Sequence, residues 1–242
     1  MAYKPPILEA FNAPLTLIII IILCIIYYYL NSRNVSIENV ACNSQLVLDR
    51  KQYWRTITAS FSHFSFLHLI MNVGSFYTIG EIEKYLKISE YFKYIVILTI
   101  IPPIIDSLIR KHFDINPGTY GVGFSCVLFG FETIIASYSS SVNLFGYQIP
   151  ISFMPIFSCI VISILIPNAS FIGHISGIII GYLITWHVFD WITAQLFWNI
   201  LPWIVILMLI NYKRSFPDRL KFISMSKTPP TTTQNGNLVR TP

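Results

Sequence analysis

Residues 121–130 read GVGFSCVLFG, and the rest of the chain is placed by its relation to that decapeptide. Ser125 stands between Gly123 and an apolar run long enough to continue across a bilayer. A hydroxyl there can bond back to its own helix at little cost, so its polarity alone assigns nothing. Some fifty residues on, FIGHISGIIIGYL at 171–183 puts His174 at the head of a second apolar run. Ionisable side chains inside a membrane are costly and tend to be functional, which makes Ser125 and His174 the pair to follow.

Composition sets the medium. With 54% hydrophobic and 11% charged residues over 242 positions, the chain is far more apolar than a soluble domain and reads as an all-α polytopic membrane protein. Its 16 Lys and Arg against 11 Asp and Glu would suggest a nucleic-acid partner in a soluble chain. Here the bases cluster in loops and tail as topology charge, and no nucleic acid is expected. Cys24, Cys42, Cys126 and Cys159 have neither metal-ligand spacing nor the pattern of a disulfide framework. His63 and His68 lack His-Glu-x-x-His spacing and a following carboxylate, so neither a metal nor a cofactor is expected.

Outward from the decapeptide, apolar runs occupy residues 15–30, 64–80, 94–109, 122–137, 149–166 and 171–189, with a shorter seventh at 196–210. The first has Asn12 as its candidate cap and Pro14 in its first turn. Without a small-x-small cleavage site it reads as a retained helix and not a signal peptide. Pro102 and Pro103 are expected to bend the third run. The polar loop over 33–62 holds Asn34-Val-Ser36, a glycosylation acceptor pattern that matters if the loop faces a lumen. The expected organisation is a short N-terminal segment (1–12), a transmembrane domain (13–190), an extra hydrophobic segment (191–211) and a basic, disordered tail (212–242).

The unusual polar residues fall on alternate runs. His63 stands at the head of the second run, His68 and Asn72 lie on it, Ser125 lies on the fourth and His174 on the sixth. Successive spans alternate in direction, so these runs enter from one face, and at about 1.5 Å per residue their polar groups share one depth. His68 and Asn72, four apart, lie on one helix face. Gly173, Gly177 and Gly181 recur every four residues as a smooth stripe that admits another helix, and Gly121, Gly123 and Gly130 offer similar access on the fourth run. A nucleophile and its base on separate helices require such an approach. Glu132, two turns below Ser125, reads as structural, and Asp106, near a helix end, has no paired intramembrane aspartate of the kind an aspartyl mechanism needs.

Taken in order, Trp54-Arg55, His63-x4-His68-x3-Asn72, Gly80-Glu81-Ile82-Glu83, Gly123-Phe124-Ser125 and His174-x2-Gly177-x3-Gly181 resemble the rhomboid intramembrane serine proteases, nearest the compact eukaryotic branch without a large N-terminal domain. The resemblance covers about residues 53–182. It implies a six-helix core in which Ser125 is the nucleophile and His174 its general base, with no acid residue. It implies also that His68, Asn72 and the Ser125 backbone N–H stabilise the oxyanion, that Gly123, Phe129, Gly177 and Gly181 pack the active site, and that Trp54 and Arg55 pack the first loop. Two positions depart from the family: Cys126 stands where Gly is usual, and Phe129 where many members stack a Tyr on the histidine.

The implied activity is cleavage of transmembrane or membrane-proximal segments of other membrane proteins within the lipid bilayer. The rival is a rhomboid-like pseudoprotease that binds transmembrane segments for quality control or trafficking without cutting. A small transporter or channel is more remote, for there is no inverted repeat or pore-like series of charges. The expected location is the ER or Golgi membrane, or else the plasma membrane. If the seventh run does not cross, the face bearing the N-terminus carries ten bases against six on the active-site face; if it crosses, the division is four against twelve. The family's active site faces away from the cytoplasm, which favours six spans. Residues 196–210 are therefore expected to lie in the interface or re-enter, kinked at Pro202 and anchored by Trp198 and Trp203.

Overall fold

The computed structural model describes residues 12–139, 141–144, 147–166 and 169–215. The expected N-terminal segment, apart from Asn12, and the tail beyond Ser215 lie outside the described residues. In chain order the helices are α1 (Pro14–Ser32), α2 (Arg55–Phe61), α3 (Phe66–Ile79), α4 (Ile88–His112), α5 (Ser125–Tyr138), α6 (Met154–Leu165), α7 (Phe171–Thr185) and α8 (Ala194–Ser215). Between α5 and α6 a hairpin of β1 (Ser141–Leu144) and β2 (Tyr147–Pro150) pairs antiparallel, an element the sequence reading does not contain. The six apolar runs are α1 and α3 to α7, an all-helical membrane core with this one hairpin added.

Helix length divides the core. The 19 residues of α1 and 25 of α4 suffice to cross a bilayer. The 14, 14, 12 and 15 residues of α3, α5, α6 and α7 do not reach the roughly 30 Å of hydrocarbon at about 1.5 Å per residue. All the candidate site residues sit on these short helices or the turns leading into them. The centre is α5, whose Phe131 and Ile134 are buried against Tyr91 and Leu98 of α4 and Ile180 and Ile184 of α7.

Several helix ends are set by residues remote in sequence. The N-cap of α1 is Ala13, not Asn12, and it offers no side-chain bond. The cap comes from Glu83, whose carboxylate accepts Leu15 N at 2.9 Å, Thr16 N at 2.8 Å and Thr16 Oγ1 at 2.8 Å. Gly80 permits this, since a Cβ there would lie 2.7 Å from Thr16 Oγ1. Helix α4 starts at Ile88, inside the charged connector 81–93 between the second and third apolar runs, and continues unbroken through the buried Pro102 and Pro103. Pro103 deprives the Thr99 carbonyl of its usual donor, and Ser60 Oγ, whose proton is directed mainly to the Thr56 carbonyl at 2.8 Å, lies 3.4 Å from it. The sixth run ends early: α7 stops at Thr185 and the chain turns at His187, which has φ 63°.

The first loop is built on Arg55. Its guanidinium, 4% exposed, donates to the carbonyls of Glu38 at 2.8 Å and Ala41 at 2.9 Å and to Gln52 Oε1 at 2.6 Å, so neutral oxygens satisfy a buried cation. Its own carbonyl accepts the Cys42 thiol, whose pKa burial pushes up. Cys42 and Gly121 exchange backbone bonds of 3.0 and 2.8 Å, joining this loop to the segment that leads into Ser125.

Helix α8 holds the seventh apolar run. It runs 22 residues without interruption at Pro202 and is long and apolar enough to cross a membrane. Near its start Trp198 stacks on Phe92 at 5.7 Å, and Lys93 Nζ donates to the Ile192 carbonyl. At its end Asn211 donates to the Lys51 carbonyl at 2.7 Å, and the Trp54 indole N–H donates to Ser215 Oγ at 3.1 Å.

Candidate active site

Ser125 is the first residue of α5 and His174 lies in the first turn of α7. Their side chains meet with Ser125 Oγ and His174 Nε2 3.0 Å apart. The glycine stripe brings them there. A Cβ at Gly177 would lie 3.0 Å from the Cys126 carbonyl carbon and nearer still to its oxygen, and one at Gly181 would lie 2.6 Å from the Gly130 carbonyl oxygen. The α5 and α7 backbones therefore touch over a full turn, as small residues allow inside lipid. Phe129, one turn below Ser125, packs its ring 4.4 Å from the His174 imidazole at 31°.

The approach to Ser125 needs glycine for a second reason. Gly123 has φ +118°, which L side chains rarely adopt, and a Cβ there would lie 2.5 Å from His68 Cε1 and 2.8 Å from His68 Nε2. The His68 imidazole thus rests on the turn that opens α5. At that turn the N–H groups of Val127 and Leu128 donate to the Phe124 carbonyl at 3.0 and 3.2 Å, and the helix dipole favours negative charge beside the N–H groups that precede them.

Asn72 is buried one turn from His68. It gives one amide proton to the His68 carbonyl at 2.8 Å, and its Oδ1 has no protein partner among the described residues. His63 is fully buried with its ring 4.9 Å from that of His68. Cys126, at the position where the family usually has Gly, is accommodated by the opposite helix: its Sγ would be 3.3 Å from a Cβ at Gly173. Glu132 faces α6, where Ser158 Oγ donates to it at 2.7 Å.

Two groups near His174 escaped the sequence reading. Ser170 caps α7, accepting Gly173 N at 3.1 Å, and Arg110 of α4 donates to Ser170 Oγ at 2.8 Å. A serine just before an apolar run is a legible cap signal. An arginine 60 positions away is not.

A hydroxyl and an imidazole are in contact at the heads of two short, glycine-packed apolar helices. Residues 50–191, more than half of the chain, match the family described as Rhomboid domain, and the chain belongs to the rhomboid family. It is 26% identical over 192 residues to the Arabidopsis thaliana protein named rhomboid-like protein 14, mitochondrial, covering 76% of this chain and 56% of that one. It is 33% identical over 137 residues to rhomboid-type serine protease B of Aspergillus fumigatus, with 54% of this chain and 50% of the relative covered. With human rhomboid-related protein 4 it shares 27% over 146 residues, 56% of this chain and 46% of the relative. The chain thus spans about half the length of the curated relatives it matches.

Proposed function

We propose that this chain is an intramembrane serine protease cleaving transmembrane or membrane-proximal segments of other membrane proteins. The observation that carries the reading is the 3.0 Å separation of Ser125 Oγ and His174 Nε2. At that distance the imidazole takes the hydroxyl proton as Oγ attacks the scissile carbonyl, then passes it to the leaving amine. Water activated by the same imidazole then releases the acyl group from Ser125. The Ser125 N–H, the His68 ring and the second amide proton of Asn72 meet the charge on the carbonyl oxygen, and each such donor is commonly worth about 10²–10³ in rate. The name of the Aspergillus relative, a rhomboid-type serine protease, supports the same chemistry. Its substrates are single-span proteins whose helices unwind readily, and its setting is the ER, Golgi or plasma membrane.

The test is the purified protein in detergent with a fluorogenic transmembrane substrate. Ser125→Ala and His174→Ala are each expected to abolish cleavage while expression and Tm stay near wild type. Undiminished cleavage by either variant refutes the dyad. A wild-type chain that binds the substrate without cutting it belongs instead with the pseudoproteases.

We propose further that α8 is a seventh span, against the six that the charge count favours. Its 22 residues reach about 33 Å, its start lies beside the start of α4 and its end beside the first loop, so the C-terminal end of α8 shares a face with Ser125. Arg33→Cys and Pro242→Cys are expected to react with an impermeant thiol reagent from one and the same side of sealed vesicles. Labelling from opposite sides refutes the seventh span.

A further inference from the structure

The Ser–His pair has no third member: among the described residues no protein group accepts the Nδ1–H of His174. In a triad, an acid at that atom holds the imidazole in place. Here the orientation must come from the Phe129 ring and from the helix that carries His174, and the first turn of that helix is tied down with unusual completeness. Ser170 Oγ accepts Gly173 N at 3.1 Å and Arg110 Nη2 at 2.8 Å, and lies 3.4 Å from Asp106 Oδ1, toward which its own proton is directed. The Ser170 carbonyl accepts the His174 N–H at 3.0 Å. Arg110 Nε in turn bonds both oxygens of Asp106, at 3.1 and 3.0 Å, one turn earlier on α4.

An N-cap hydroxyl normally makes one such bond. This one uses both lone pairs and its proton, which fixes its rotamer. A guanidinium beside a helix N-terminus has the wrong sign for the helix dipole, and the Asp106 carboxylate cancels it. The pair therefore acts on α7 through directed hydrogen bonds and not through net charge. Both side chains are largely enclosed, at 11% exposure for Arg110 and 18% for Asp106.

We infer that Asp106 and Arg110 are positioning residues for the general base. They lock Ser170, Ser170 locks the first turn of α7, and that turn sets the 3.0 Å contact of His174 with Ser125. The inference rests on the reading of Ser125 and His174 as the catalytic pair. It assigns to a clamp on another helix the orienting work that an acid does in a triad.

The test uses the full chain purified in detergent with a fluorogenic transmembrane substrate. Cleavage by wild type and its loss in Ser125→Ala are required by the dyad reading alone. Against that background, Arg110→Gln and Ser170→Ala are each expected to lower kcat about 10- to 100-fold, the scale of a misplaced catalytic group, with KM within about twofold. The double variant is expected to fall no further than the worse single one. Arg110→Lys, which keeps a donor but loses the fork, is expected to recover part of kcat. Because Arg110→Gln alone leaves the Asp106 carboxylate uncompensated, the neutral pair Asp106→Asn with Arg110→Gln is measured beside it and is expected to show the same loss. Amide exchange at Gly173 and His174, followed by mass spectrometry, reads the clamp without turnover and is expected to quicken in Arg110→Gln. Wild-type kcat in the neutral pair, a loss residing in KM, additive losses in the double variant, or unchanged exchange at the first turn of α7 would each overturn the inference.

Discussion

Gly177→Ala adds one methyl group at the tightest point between α5 and α7. That methyl would lie 3.0 Å from the Cys126 carbonyl carbon and 3.2 Å from Cys126 Cα, and closer still to the carbonyl oxygen. Ordinary contacts of a methyl carbon are about 3.3–4.0 Å, and the carbonyl oxygen is the limiting neighbour, so the helices must part by about 1 Å. The obstruction is backbone, which cannot swing aside as a flexible side chain would. Ser125 immediately precedes Cys126, and His174 lies less than a turn above Gly177, so little of the movement is absorbed before it reaches the 3.0 Å contact. That contact opens to about 4 Å, beyond hydrogen-bonding range. The expected cost is about 1–3 kcal/mol of stability through overpacking and about 10²-fold in kcat through misplacement. Thermal melting and turnover in detergent measure the two. Gly74 on α3 is the control, because a Cβ there would have nothing within 4 Å. Gly74→Ala is expected to keep full turnover and to gain up to about 1 kcal/mol from helix propensity. Wild-type Tm and turnover in Gly177→Ala would refute the packing argument, as would an equal loss in Gly74→Ala.

Two further outcomes follow from the same geometry. Gly123→Ala forces a side chain into φ +118° and onto the His68 ring, and is expected to reduce turnover by at least about 10²-fold; normal turnover would separate this glycine from the site. Glu83→Ala strands the Leu15 and Thr16 N–H groups at the start of α1, and should cost about 1–3 kcal/mol, read as a lower Tm, with kcat of the folded protein little changed. An unaltered Tm would mean that α1 does not depend on this cap.

The sequence alone determined the medium, the run of six core helices and the candidate pair. Hydropathy is a local sum, and a four-residue glycine period on 171–183 announces a face that another helix can touch. The shared depth of His68, Asn72, Ser125 and His174 follows from counting residues along spans of alternating direction, which needs no contact information. The boundaries were less legible. Six residues of the charged connector belong to α4, since a connector residue and a helical residue that leaves the bilayer look alike in composition. The ties between distant elements were not legible at all. Glu83 on Thr16, Arg110 on Ser170, Asp106 on Ser170 and Asn211 on Lys51 join positions 67, 60, 64 and 160 residues apart. In the sequence each of these groups reads as an ordinary polar or charged residue near a helix end. Only when the helices have packed, burying such a group beside one particular partner, is it decided which charge is left to water and which one holds a helix in place.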